Sequence, residues 1–150
     1  MVRNVKLAVH RRKRILFYVL PAVGYAAVIF SLSSSPLDIE ELAPVFEYDK
    51  LLHLVEYYIF GYLLMRAFTT SPDSSLAGKA VFATILIGTA YGASDEFHQY
   101  FVPGRNWDLL DVLFDAAGAT LAAVTFSFVR HPLGPVRALE NRIEAEVSRR

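Results

Sequence analysis

The sequence predicts an all-α integral membrane bundle of four transmembrane helices, both termini cytoplasmic, with a C-terminal amphipathic helix. Three observations lead there. The 150 residues are 54% hydrophobic, above the roughly 45–50% of ordinary soluble domains. Four windows approach the roughly 20 mostly apolar residues that a span requires. The basic side chains equal the acidic ones in number, 15 of each, yet they gather on one side of those windows. The length suits a single domain, residues 1–150.

The first window, residues 15–33 (ILFYVLPAVGYAAVIFSLS), carries no charge. A soluble four-helix bundle would need a solvent face here, and the segment has none. Its basic flank and the alanines at 26 and 27 also suit a signal peptide. The apolar run is longer than a usual signal core, however, and three more spans follow, so a retained helix is expected. The second window, residues 51–68, carries His53, Glu56 and Arg66. The third, residues 80–101, is apolar until Asp95, and the fourth, residues 109–129, holds Asp111 and Asp115 in its first two turns. Beyond it, Val136, Leu139, Ile143 and Val147 recur at spacings of three and four within a tail, residues 130–150. That pattern suits an amphipathic helix, lying on lipid or simply solvated.

Orientation follows from the basic residues. Arg3, Lys6, Arg11, Arg12, Lys13 and Arg14 precede the first span. Arg66 and Lys79 flank the connection between the second and third. Arg130, Arg137, Arg142, Arg149 and Arg150 follow the fourth. Thirteen of the fifteen therefore share one side, leaving Lys50 and Arg105 for the other. The tail and the amino terminus are expected in the cytoplasm, and the acidic loop 38–49 and the FVPGRNWD loop outside. A zero formal net charge offers no field for nucleic acid, so no nucleic-acid partner is expected. With no cysteine, disulfides, thiolate zinc sites and cysteine nucleophiles are excluded.

Ionisable groups inside spans cost about 2.5–3.5 kcal/mol each at mid-helix, so their placement carries information. Asp49, His53, Glu56 and Phe60 fall on one helical face, as do Gly92, Glu96 and Gln99, and Asp108, Asp111, Asp115 and Gly118. All three stripes lie toward the expected outer ends of their helices, where they form a shallow polar pocket in the outer leaflet. Plainer readings exist for each residue. Asp49, Lys50, Asp95 and Asp108 also suit a solvated interface, His53 a buried hydrogen-bonding histidine, and Glu56, Glu96, Asp111 and Asp115 interhelical hydrogen bonding. Seven acids against Lys50 and Arg105 nevertheless demand neutralisation by protons, a cation or a cationic ligand. A divalent metal is one candidate cofactor, with His53, Glu96 and Asp111 as candidate ligands, although no H-E-x-x-H motif is present. Ser94, Asp95 and His98 are close in sequence, but their helical positions do not make a triad.

Four stretches carry a resemblance: SSSP at 33–36, DKLLHLVEYYIFGYLL at 49–64, EFHQ at 96–99, and RNWDLLDVLFDAAG at 105–118. In this order and spacing the chain resembles the VanZ-like family, small bacterial multi-pass membrane proteins related to the teicoplanin-resistance protein. The resemblance covers about residues 15–129. It implies functional positions at Asp49, Lys50, His53, Tyr57, Glu96, Gln99, Arg105, Asp111 and Gly118. Asp115 departs, standing where the family usually has Asn, and adds a further acid for a metal or a proton. The resemblance implies a bacterial cytoplasmic (inner) membrane address. It also implies an outward pocket that binds a cell-envelope component, such as a lipid-linked precursor, or a glycopeptide, contributing to teicoplanin-type antibiotic resistance. The alternative is a membrane-embedded, metal-dependent enzyme acting on an envelope lipid or its head group. A small carrier working as an oligomer is a third reading, motivated by the intramembrane acids. Whether the chain is an enzyme, and its oligomeric state, stay open on the sequence.

Overall fold

The four apolar windows are helices in the computed structural model, which describes Arg12, residues 14–35, residues 48–130 and Arg142. The amphipathic tail helix expected within 130–150 and most of the acidic loop lie outside the described residues. Helix α1 opens as a π-helical turn, Ile15–Val19, and continues as Leu20–Ser33. The winding changes beside Pro21, which has no N–H to donate to the preceding turn. Helix α2 spans Asp49–Thr69, α4 Ala80–Gln99 and α5 Leu109–Arg130. Between α2 and α4 lies a short helix, α3, Ser74–Gly78, which the sequence reading treats as loop. Its start is fixed by Asp73, whose carboxylate accepts the backbone N–H groups of Ser75 and Leu76. The turn into α5 uses Gly104 at φ 82°, a backbone conformation that costs glycine nothing.

Contacts between helices give an up-down-up-down arrangement. The Arg14 guanidinium donates to the carbonyl of Ala67, so the start of α1 meets the end of α2. The Tyr91 hydroxyl donates to the carbonyl of Ala26, and Ser33 reaches Asp95, so α1 and α4 run in parallel. The most extensive packing joins α2 to α5, followed by α4 to α5. Small residues permit it. A Cβ on Gly118 would run into the Leu54 carbonyl oxygen and the Tyr58 nitrogen of α2, so the two backbones touch there.

Two apolar clusters hold the bundle away from its polar end. Ala22, Ile29, Tyr57, Phe60 and Leu64 join α1 to α2, with Tyr91 of α4 packed against them. Met65, Ala80, Ala123 and Phe126 close the opposite end. Much of the remaining apolar surface faces outward: Val23 is 59% exposed and Phe82 67%. The charged and polar groups of the stripes face inward, with Glu96 0% and Asp115 1% exposed. This reverses the usual soluble distribution, in which ionised side chains are almost never fully buried. By length and composition, Ile15–Ser33 and Leu109–Phe126 are apolar enough to cross a membrane. Helices α2 and α4 are long enough, but their polar stripes lower their average hydropathy.

Candidate functional site

The polar stripes meet where the first turns of α2 and α5 lie beside the last turns of α1 and α4. Acids in the first turn of a helix are favoured by its unpaired N–H groups, which suits Asp49 in α2 and Asp111 in α5. At the top, the Lys50 ammonium donates to Asp108 Oδ2 at 2.7 Å, to Asp111 Oδ1, and more loosely to Asp49 Oδ2 at 3.5 Å. It ties α2 to α5 and to the turn before it. Partial burial disfavours the Lys50 ammonium, but its hydrogen bonds to Asp108 and Asp111 outweigh that and hold its pKa above the ordinary lysine value. Asp108 is held below the ordinary carboxylate value by Lys50 and by the N–H of Leu110.

One turn deeper, His53 Nδ1 donates to Asp115 Oδ1 at 2.9 Å. Its other ring nitrogen, Nε2, lies 3.9 Å from Asp49 Oδ1 and 3.9 Å from Asp111 Oδ1, beyond hydrogen-bond length to either. Ligand atoms of Asp49, His53 and Asp111 all lie within 4.8 Å of one another, a spacing compatible with one metal ion. Glu96, in the set expected from sequence, is not one of these three, and Asp49 supplies the third ligand position. One Glu96 oxygen, Oε2, accepts the Asp108 backbone N–H at 3.2 Å, and the other, Oε1, has no hydrogen-bond partner among the described residues. Asp115 Oδ2 and the Tyr57 hydroxyl are likewise buried and unpartnered.

The side toward α1 is built differently. Asp95 Oδ1 accepts from the Ser33 hydroxyl at 2.6 Å, and Asp95 Oδ2 from the Gln99 amide at 3.2 Å. Ser34 pairs with His98 Nε2 at 3.0 Å, and the His98 ring stacks on Phe30. Arg105 donates to the carbonyl of Leu32 at the end of α1. Glu56 is half-buried and sits in the fields of His53, Asp95, Asp115 and Arg105.

The structure thus gathers Asp49, Lys50, His53, Glu96, Asp111 and Asp115 around one point. Tyr57 lies beneath, its ring against Phe60 and Tyr91. Gln99 and Arg105 serve the α1 side instead. Sequence reasoning left Asp95 and Asp108 between a solvated interface and the polar cluster; in the structure Asp95 is 5% exposed and Asp108 bridges Lys50 to Glu96. The four-residue step from Asp95 to Gln99 is the signal that would have flagged the first. Chemically the site has acceptors in excess, both signs of charge, and three unpartnered buried oxygens on three helices.

No curated protein and no solved structure matches the chain. A family model described as VanZ/LLP1 matches residues 5–130, a stretch that contains every helix described above and every side chain of the pocket. On that match the chain belongs to the VanZ/LLP1 family.

Proposed function

We propose that this chain is a multi-pass protein of the bacterial inner membrane, with four spans and cytoplasmic termini, whose outward pocket binds a cell-envelope component or a glycopeptide. On this reading it contributes to teicoplanin-type antibiotic resistance. One observation carries it: Glu96, Asp115 and Tyr57 are fully enclosed yet each leaves an oxygen unpartnered, inside a bundle whose outer face is apolar. A seam serving only to join helices would pair those atoms, because each unpaired buried polar group costs about 1–3 kcal/mol. The stripes that keep α2 and α4 from passing as spans on composition face inward, so lipid would meet their apolar sides. The one-sided distribution of basic residues supports an outward pocket.

The test replaces charge without shape. Cells expressing wild type, Glu96→Gln or Asp111→Asn at equal membrane abundance are compared for teicoplanin susceptibility. Both variants are expected to lose most of the protection that wild type gives. Asp115→Asn is expected to lose less, since an amide oxygen still accepts from His53 Nδ1. Full protection by both charge variants, or none by wild type, contradicts the proposal. A second reading, a membrane-embedded metal-dependent enzyme acting on an envelope lipid or its head group, is favoured by the convergence of Asp49, His53 and Asp111. It predicts an altered lipid product in the extracted envelope of expressing cells.

A further inference from the structure

We infer that Asp49, His53 and Asp111 bind one first-row divalent metal ion of the zinc–manganese class, with Asp115 as the positioning residue for His53. The inference rests on the pocket proposed above, though not on its ligand. It begins with His53, which is 8% exposed and has its two nitrogens in different roles. Nδ1 is held by the buried Asp115 carboxylate. With Nδ1 turned to Asp115, Nε2 is the nitrogen left for a metal once the ring is neutral, and it stands 3.9 Å from a carboxylate oxygen of Asp49 and from one of Asp111 without hydrogen-bonding either. A carboxylate behind a metal-binding histidine is the usual way such a ligand is oriented.

The spacing agrees. Donors on one tetrahedral ion at about 2.1 Å stand about 3.4 Å apart. The two separations from His53 Nε2 are 3.9 Å and all three donors lie within 4.8 Å of one another, so side-chain shifts bring them onto one ion. An imidazole nitrogen with two carboxylates suits zinc or manganese, whereas calcium and magnesium favour oxygen alone. A second observation points to a ligand independently of the trio. Glu96 is 0% exposed and lies in the fields of Asp111, His53 and Asp115, with Oε1 unpartnered. Three protein donors leave a coordination position open on the ion, and the enclosed Glu96 carboxyl lies in the fields of the same Asp111 and His53.

Lys50 sharpens the inference because its ammonium holds the same Asp111 oxygen. Metal and ammonium compete for Asp111, and Asp108 retains the lysine when the metal takes Asp111. Removing the competitor therefore strengthens metal binding, an outcome that a merely structural Lys50 would not produce.

The experiment uses the purified full-length chain in detergent. Zn²⁺ is titrated against a chromophoric chelator, and Mn²⁺ is followed by pulsed electron paramagnetic resonance. Expected are one ion per chain, a ¹⁴N coupling from a bound imidazole, and its loss in His53→Gln. Asp111→Asn is expected to weaken binding at least about tenfold, and Asp115→Asn about 10–100-fold, the usual effect of losing an outer carboxylate. Lys50→Met is expected to tighten it. No stoichiometric ion, no ¹⁴N coupling in wild type, or binding that His53→Gln and Asp111→Asn leave unchanged would overturn the inference. If His53→Gln does not fold, the wild-type ¹⁴N signal decides alone. Loss of protection in Asp111→Asn without any ion bound overturns the metal site and leaves the proposed function standing; a bound ion with full protection does the reverse.

Discussion

A methyl group on Gly92 would stand 2.5 Å from Asp115 Oδ2 and 2.8 Å from its Cβ, so the Asp115 carboxylate occupies space that only glycine leaves free. Gly92→Ala must push that carboxylate away from α4 and strain its hydrogen bond to His53. We expect destabilisation of about 1–3 kcal/mol, the usual cost of overpacking, read as a lower unfolding midpoint in mild detergent. An unchanged midpoint would mean the carboxylate is free to move. At the mouth, the Lys50–Asp108 pair makes a pH prediction. Lys50 is raised, so its contribution is complete below the ordinary lysine value of 10.5 and is lost as pH climbs through its higher folded value. Asp108 is lowered, so its contribution is complete above the ordinary 3.8 and is lost as pH falls through its lower folded value. The melting-temperature difference between wild type and Lys50→Met should therefore be flat between these limits and shrink outside them. A difference that varies with pH near neutrality would contradict this pairing. At this scale the sequence was informative about which groups matter, because carboxylates in apolar runs need a reason. It was silent on who pairs with whom: nothing in the spacing assigns Asp115 to His53 or Asp108 to Lys50.

Helix faces were legible from period alone, and helix partners were not. The step from His53 to Glu56 is 300° on a helix, so Glu56 is turned about 60° from His53. In the structure His53 faces α5, bonded to Asp115, and Glu56 makes no ion pair with it. Helix α3 escaped because five residues cannot show a period, although Asp73 ahead of two serines was a capping signal. The docking of α1 was hidden for another reason: its apolar run has no stripe, and its side-chain hydrogen bonds to α4 come from Ser33 and Ser34 at the very end. Ser33→Ala removes the 2.6 Å donor to Asp95 and leaves a 5% exposed carboxylate one partner short. We expect a loss of about 1–3 kcal/mol and faster amide exchange confined to the last turns of α1. Exchange that rises equally in α2 and α5 would show that Ser33 supports the whole bundle rather than this junction.

For the whole molecule, the all-helical architecture and the gathering of polar groups at one end follow from hydropathy and helical period together. Their common level follows from topology: alternate helices run in opposite directions, so the stripes at the starts of α2 and α5 and at the end of α4 come together. Hydropathy marks Ile15–Ser33 and Leu109–Phe126 as apolar enough to span, while the polar groups that build the pocket dilute α2 and α4. The thirteen-to-two division of basic residues supports the proposed orientation, in which the pocket opens to the outside. The chain has no cysteine, so a single introduced thiol reports its own side. Trp107 is half-exposed beside the pocket mouth, and Ser74 is exposed at the opposite end of the bundle. In protoplasts treated with a membrane-impermeant maleimide, Trp107→Cys should be labelled at once and Ser74→Cys only after the membrane is permeabilised. The reverse pattern, with Ser74→Cys labelled from outside and Trp107→Cys protected, would contradict an outward-facing pocket.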